Sequence, residues 1–419
     1  MIQGLLKEIR SYSYFEKLFV LFVMLSSFCI TAEYSITKPV SSSVFIAHFS
    51  TGFFPYAWLA MFPLNFVVIT LYNRCISRFG CYKVMLYLVV AVIGTNVLGS
   101  FFLKDFRGVS FFHFVWKDIY VMLMFQNVWS IVHSTIKTHR AKYLYGLIYG
   151  VGGLGSVLGS SITALLAVKV GSEKLLLSTA FFYAVLMLGY HYILKVRAKL
   201  DQVEPIVWSS KDTTGGFKWI ASSKLLQFIL LLVVFMQVAS TLIDFQFSTY
   251  LQNLFPDKDM RTSYTGQLFS FVHFFNIFLQ FFGSWLVIHF LGFKTSHQMM
   301  PLLFLCNALV FKFFPIFQWL TFEFCMIKAF DYSLFTILKE MLYLPLKTEA
   351  KFKAKAVIDV FAYRSARILA SFTIIALQML QGNTVKTLSW ILLAIFLAWL
   401  FLVMKMFKRQ ELLLFKKSL

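Results

Sequence analysis

The sequence predicts an all-α polytopic membrane protein with twelve transmembrane helices in two six-helix halves. Three observations predict it. The chain of 419 residues is 59% apolar and only 14% charged, and Phe alone occurs 51 times. A soluble domain carries about 45–50% apolar and about 25% charged residues, because its surface must be wetted. The apolar residues gather into segments of about 20, the length that crosses the hydrocarbon core of a bilayer. The polar residues between those segments hold a lopsided excess of cations, 39 Lys and Arg against 18 Asp and Glu, for a formal charge of +21. This composition excludes a soluble enzyme, a disordered chain, a collagen and a coiled coil.

Charges and helix breakers place the spans at approximately 17–38, 53–73, 83–104, 110–134, 143–169, 174–195, 224–247, 264–291, 297–319, 321–343, 355–381 and 385–407. The apolar run 18–30 is short enough to imitate a signal peptide. It follows a polar lead with Lys7, Arg10 and Lys17, and many more apolar segments come after it, so it reads as the first span. Spans two and three are parted by a basic turn with Arg74, Arg78 and Lys83. Span four, around Lys117, and span ten, around Lys339, are expected to be kinked or tilted. Span five contains Gly150, Gly152, Gly153, Gly155 and Gly159. A nucleotide loop needs a strand before it and a helix after it. These glycines lie inside an apolar span, so close helix packing is the reading. The polar stretch 197–224 divides the chain into residues 1–196, a linker at 197–223, and residues 224–419. A faint echo links the halves, since Arg78-Phe79-Gly80 follows span two and Leu291-Gly292-Phe293-Lys294 follows span eight.

Cytoplasmic loops attract Lys and Arg. One side holds the N-terminal lead, the turn after span two, Lys137, Arg140, Lys142, the linker, Lys294, Lys347, Lys351, Lys353 and the tail with Lys405, Lys408, Arg409, Lys416 and Lys417. The other holds Lys104, Arg107, Lys169, Lys174, Lys258, Arg261 and Lys386. Both termini are therefore expected in the cytoplasm, with anionic lipids as partners of that face and no nucleic acid. The cysteines, Cys29, Cys75, Cys81, Cys306 and Cys325, show no metal spacing. No metal, no cofactor and no catalytic constellation is expected.

Ionisable residues inside spans are costly and usually face a polar path. Here they are Lys38 in span one, Lys117 and Asp118 in span four, and Asp244 in span seven. Span ten has Lys328, Asp331, Lys339 and Glu340, and span eleven has Lys355, Asp359, Arg364 and Arg367. Positions 355, 359 and 367 share a helical face. Cations in that arrangement suit a multiply charged anion, Arg by paired hydrogen bonds and Lys as a point charge. The plainer reading has Lys339 and Lys355 snorkelling to the interface. It has Lys117 and Asp118, adjacent and so not facing each other, pairing with other spans for structure. His133, His191 and His273 read as packing histidines.

The C-terminal third resembles a known family. Asp331-Tyr332-Ser333-Leu334-Phe335, then Lys339-Glu340-Met341-x-Tyr343-x-Pro345-Leu346, then Lys353-x-Lys355-Ala356-x-Ile358-Asp359-Val360 is similar to nucleotide transporters of the ATP/ADP translocase type. Those occur in plastids and obligate intracellular bacteria. Leu242-Ile243-Asp244 with Phe255-Pro256, Ala141-Lys142-x-x-Tyr145 and Tyr34-Ser35-Ile36 resemble further family segments. The resemblance implies a major-facilitator-like fold of twelve spans and nucleotide exchange, or nucleotide import with protons. It implies that Asp244, Lys355 and Arg367 stand at family site positions, with Lys38 where the family has Arg. It departs at Ser41-Ser42, where the family has Lys-Asp. At the acid of span four, Lys117, Asp118 and Gln126 compete as the counterpart.

The expected protein is thus a multi-pass transporter in a bacterial cell membrane, a monomer by preference. Its expected cargo is a small anion, a nucleotide, moved by alternating access. Substrate would meet Lys38, Lys117, Asp118, Asp244, Lys339, Lys355, Asp359, Arg364 and Arg367. Two rivals remain: a proton-coupled importer of a non-nucleotide anionic metabolite, and a receptor or scaffold on the same fold.

Overall fold

The computed structural model describes residues 12–136, 138–200, 214–286, 290–343, 346, 355, 357–358, 362–380 and 384–408. The first helix, α1 (Tyr14–Phe49), opens on a capping box. The Ser13 hydroxyl accepts from the Glu16 N–H at 3.2 Å, and the Glu16 carboxylate accepts from the Ser13 N–H at 2.8 Å. Span one was expected to end at Lys38, but the helix runs eleven residues further, so Lys38 stands in its interior. Pro39 removes one ladder bond. Beyond it Val40, Ser41, Val44, Phe45 and Ile46 are buried, and that packing holds the helix together.

The second helix, α2 (Phe54–Phe102), has two arms that meet at Gly80, whose φ of 77° and ψ of 165° break the helix at one residue. The turn expected between spans two and three is therefore a single joint. Next come α3 (Arg107–Thr135), unbroken at Lys117, then α4 (Thr138–Val170) and α5 (Ser172–Arg197). A short α6 (Thr214–Ser222) precedes α7 (Lys224–Leu254), α8 (Lys258–Leu286) and α9 (Phe293–Phe313). Then α10 (Phe317–Phe330) passes through a π-turn at Asp331–Phe335 into α11 (Thr336–Leu342). The last two are α12 (Tyr363–Met379) and α13 (Thr384–Lys408). With the arms of α2 counted separately, α10 joined to α11 and the short α6 assigned to the linker, the described helices stand at the twelve expected places. Seven of them, α1 to α5, α7 and α13, are long and apolar enough to cross a membrane by length and composition. Others are diluted by polar residues, such as Arg261 and Thr262 in α8, or interrupted by the π-turn.

The chain forms two compact units. The first comprises Met1–Ser50, Ala60–Ser209 and Phe255–Ile277, and the second Thr51–Leu59, Ser210–Leu254 and Phe278–Leu419. In the first, α1 is the central helix and packs on α4, α5 and α3. The glycines of α4 make the approach close, because a Cβ at Gly155 or Gly159 would overlap the backbone of Phe28 or Ala32. This is small-residue packing, as the sequence suggested. The first part of α8 joins the same unit, where a Cβ at Gly266 would stand 2.7 Å from the Ala164 nitrogen. In the second unit α7 packs on α12, α13 and α10, and α9 on α13. Phe304, Phe335, Phe396 and the fully buried Trp399 form its aromatic core.

Candidate functional site

Each unit contains a polar cluster in its interior. In the first, Lys117 is 2% exposed. Its Nζ donates to the Phe114 carbonyl at 2.6 Å, lies 3.8 Å from the Phe114 ring centroid and reaches Asp118 Oδ2 at 3.6 Å. Adjacent helical residues were expected to point apart. The flexible Lys stem curls back along the helix and closes the pair. The Tyr34 hydroxyl on α1 donates to Asp118 Oδ1 at 2.6 Å, so Asp118 is held from both sides. One turn along α1, Lys38 Nζ sits 4.5 Å from the Phe269 ring and 5.8 Å from the Tyr34 ring. An ammonium over an aromatic face gains about 0.5–2 kcal/mol without needing an acid.

Behind this pair lies a residue that the sequence reading passed over. Glu33, on α1, is fully buried. Its Oε1 accepts from Thr37 at 2.6 Å, Tyr120 at 2.7 Å and Asn96 at 3.3 Å, while Oε2 has no partner among the described residues. Asn96 also donates to Thr179 at 3.0 Å and contacts His113 Nε2 at 3.1 Å. One carboxyl thus ties α1, α2, α3 and α5 together. The signal was available: Glu33 is an acid inside an apolar run, and such residues are costly.

In the second unit, Asp244 on α7 accepts from Lys328 Nζ at 2.7 Å, and Lys328 also donates to Ser240 at 2.8 Å. Lys328 was noted in the sequence but left out of the expected site, and it is the partner of Asp244. Three residues on, Asp331 accepts from Gln237 at 2.9 and 3.0 Å, which makes a second link between α7 and span ten. Lys339 is buried, with Nζ 5.5 Å from the Tyr363 ring, so it does not snorkel. Lys355 does meet Glu340, at 2.6 Å, and both are about a third exposed. Arg364 and Arg367, on α12, are half-buried. Asp359 lies outside the described residues. The three histidines are ring-packed, His133 on Trp129, His191 on Tyr82 and His273 on Phe269.

A third cluster lies in the first unit, just ahead of span eight. Lys258 donates to Glu173 at 2.7 Å and to Asp259 at 3.1 Å, while Asp259 accepts from the Ser172 N–H at 2.8 Å and from its hydroxyl at 2.5 Å. Burial opposes the Lys258 charge, but the hydrogen bonds and charges of Glu173 and Asp259 outweigh it and raise its pKa. Burial likewise opposes ionisation of Asp259, yet Ser172 and Lys258 prevail and lower its pKa. Arg261, buried nearby, donates to the carbonyls of Phe255 at 2.9 Å and Ser43 at 2.9 Å.

Solved structures share this architecture. A nucleoside transporter, NupG, aligns with a TM-score of 0.60 at 13% identity, over 95% of this chain and 100% of that one. A bacterial homologue of the iron transporter ferroportin, in an inward-facing state, aligns at 0.68 and 13%, over 94% and 99%. A D-xylose-proton symporter aligns at 0.62 and 15%, over 93% and 97%. A nucleoside, iron and a sugar with protons are unrelated cargoes, so the likeness speaks for the fold alone. The chain has a major-facilitator-like fold, and its long apolar helices are those of an integral membrane protein.

Sequence comparison narrows the class. The TLC ATP/ADP transporter family matches residues 319–410, the segment that holds Lys328, Lys339, Lys355 and Arg367. The ADP,ATP carrier protein 1 of Chlamydia pneumoniae is 24% identical over 355 residues, 71% of this chain and 67% of that protein. The ADP,ATP carrier protein 1 of Rickettsia bellii is 22% identical over 344 residues, 71% and 68% of the two chains. Over its C-terminal part the chain is similar to the ATP/ADP transporters of that family.

Proposed function

We propose that the chain exchanges nucleotides, ATP against ADP or a related phosphorylated anion, across the membrane by alternating access. The observation that supports this best is the position of the family segment. The match at 319–410 falls on the stretch where Lys328, Lys339, Lys355, Arg364 and Arg367 gather. Most of those cations are held by hydrogen bonds, acids or rings, the supported charge that binding phosphate requires. The proposed substrate residues are Lys38, Lys117 and Asp118 in the first unit. In the second they are Asp244, Lys339, Lys355, Asp359, Arg364 and Arg367. Asp118 and Asp244 hold Lys117 and Lys328, and substrate phosphate competes with them. The alternating halves are residues 1–196 and 224–419, joined by the linker 197–223. The Lys and Arg distribution supports both termini in the cytoplasm of a bacterial cell, and the chain acts as a monomer.

Uptake of radiolabelled ATP, ADP and GTP into cells expressing the chain is the test. Lys355→Ala and Arg367→Ala should each lower uptake at least tenfold, the loss of a charged contact of about 1.5–3 kcal/mol. Correct insertion without transport of any nucleotide would sink the substrate. A second reading, proton-coupled import of another anion, is favoured by Glu33, a buried carboxyl whose hydrogen-bond donors are all neutral. Uptake driven by a pH jump without counter-substrate would support that reading over exchange.

A further inference from the structure

We propose that Tyr332 is the platform on which the substrate's nucleobase stacks. The proposal rests on the nucleotide reading and deepens it. Cations account for phosphate but not for a base, which is recognised largely through its π-face. A site for a whole nucleotide therefore needs an accessible aromatic ring beside its cations.

The π-turn of span ten supplies one. In the turn Asp331–Phe335, residues Asp331, Ser333, Leu334 and Phe335 are buried. Tyr332 alone is turned outward, with 38% of its surface exposed. Single π-turns insert an extra residue into a helix and recur at functional sites. Here the insertion carries an aromatic ring out of the packed face. The turn is braced. The Thr336 hydroxyl donates to the Asp331 carbonyl at 2.8 Å, the Ser333 hydroxyl donates to the Ala329 carbonyl at 2.5 Å, and Gln280 reaches the Tyr332 carbonyl at 3.4 Å.

The surroundings are ionic rather than lipid-like. On the preceding turn Lys328 is bound to Asp244 at 2.7 Å, and the neighbouring Asp331 accepts from Gln237 at 2.9 Å. So many ionised groups are too costly to present to hydrocarbon. Tyr332 thus combines exposed ring area with a cation, Lys328, on the preceding turn of the same span.

The test compares ATP with inorganic tripolyphosphate on the purified full chain, read as half-saturating concentrations in a thermal-shift titration. Y332L should raise that value for ATP roughly 5- to 150-fold, the worth of one base–aromatic stack. It should leave tripolyphosphate unchanged, and Y332F, which keeps the ring, should bind ATP as the unsubstituted protein does. Y332M is the second aliphatic variant should Y332L fail to insert, and the same result is expected of it. Equal losses in Y332F and Y332L would assign the effect to the hydroxyl and overturn stacking. Equal losses for ATP and tripolyphosphate would overturn it too, by showing a general effect on the cations. If the unsubstituted protein binds nucleotide and Y332L binds it equally well, stacking alone falls. If the unsubstituted protein binds tripolyphosphate but no nucleotide, the proposed function falls with it.

Discussion

The Lys117 cluster of the first unit and the Lys328 cluster of the second join their helices by different chemistry. In the Lys117 cluster the ion pair, Lys117–Asp118, lies within one helix, and neutral hydroxyls and an amide link it and Glu33 to their neighbours. In the Lys328 cluster the charges themselves make the link, Asp244 on α7 to Lys328 on span ten. The consequence is energetic. Removing a neutral donor leaves one unsatisfied polar group, whereas removing one half of a buried interhelical pair strands a charge. The Lys117 cluster should therefore tolerate substitution of its charges better than the Lys328 cluster.

The sharpest way to break this comparison is Lys328→Met. It strands Asp244 and should cost roughly 3–5 kcal/mol. The double change with Asp244→Asn should recover more than half of that loss. Thermal unfolding in detergent measures both. If Lys328→Met costs no more than Lys117→Met, the distinction between the clusters is lost. Next is Glu33→Leu, which takes the acceptor from the Thr37 and Tyr120 hydroxyls and one of two acceptors from the Asn96 amide, at about 1–3 kcal/mol for each buried group left unpaired. Glu33→Gln keeps an oxygen for them and should cost visibly less, and equal melting temperatures would contradict the network. Third is Gly159→Ala. It forces α4 off α1 at Ala32 and should cost about 1–3 kcal/mol. Wild-type stability in that variant would show that the seam yields.

The smallest effect is expected from pH at the Lys258 cluster. The pKa of Asp259 is lowered in the folded chain. Its contribution is therefore complete above the ordinary Asp value of about 3.9 and is lost as pH falls through the lower, folded value. Melting temperature followed from pH 6 to pH 3 should drop less steeply in Asp259→Asn than in the parent chain. Identical slopes would remove Asp259 from the account.

Much of the fold was legible because span length and burial are written in hydropathy, and the glycines of α4 read correctly as a packing seam. What was not legible depends on three dimensions. Pro39 looks like a terminator, yet burial of Val44, Phe45 and Ile46 carries α1 past it and leaves Lys38 inside. Lys117 and Asp118 point apart as Cβ vectors but meet through a flexible stem. Glu33 sits among apolar letters whose spacing says nothing of Tyr120 or Asn96 on distant helices. Lys328 was visible as a charge, but its pairing with a residue 84 positions away was not. The π-turn is built from residues that also suit an α-helix, so nothing local announces it.

Gly80 and Gly292 share one more property. Their φ values are 77° and 74°, their ψ values 165° and 152°, and a Cβ at either would meet nothing within 4 Å. Space does not select glycine there; the backbone angles do. Positive φ combined with an extended ψ is a region that essentially only glycine visits. Alanine at either joint should therefore be strained although its methyl meets no neighbour. The two matching joints are thus places where the freedom of the backbone, rather than the contacts of any side chain, is what evolution had to satisfy.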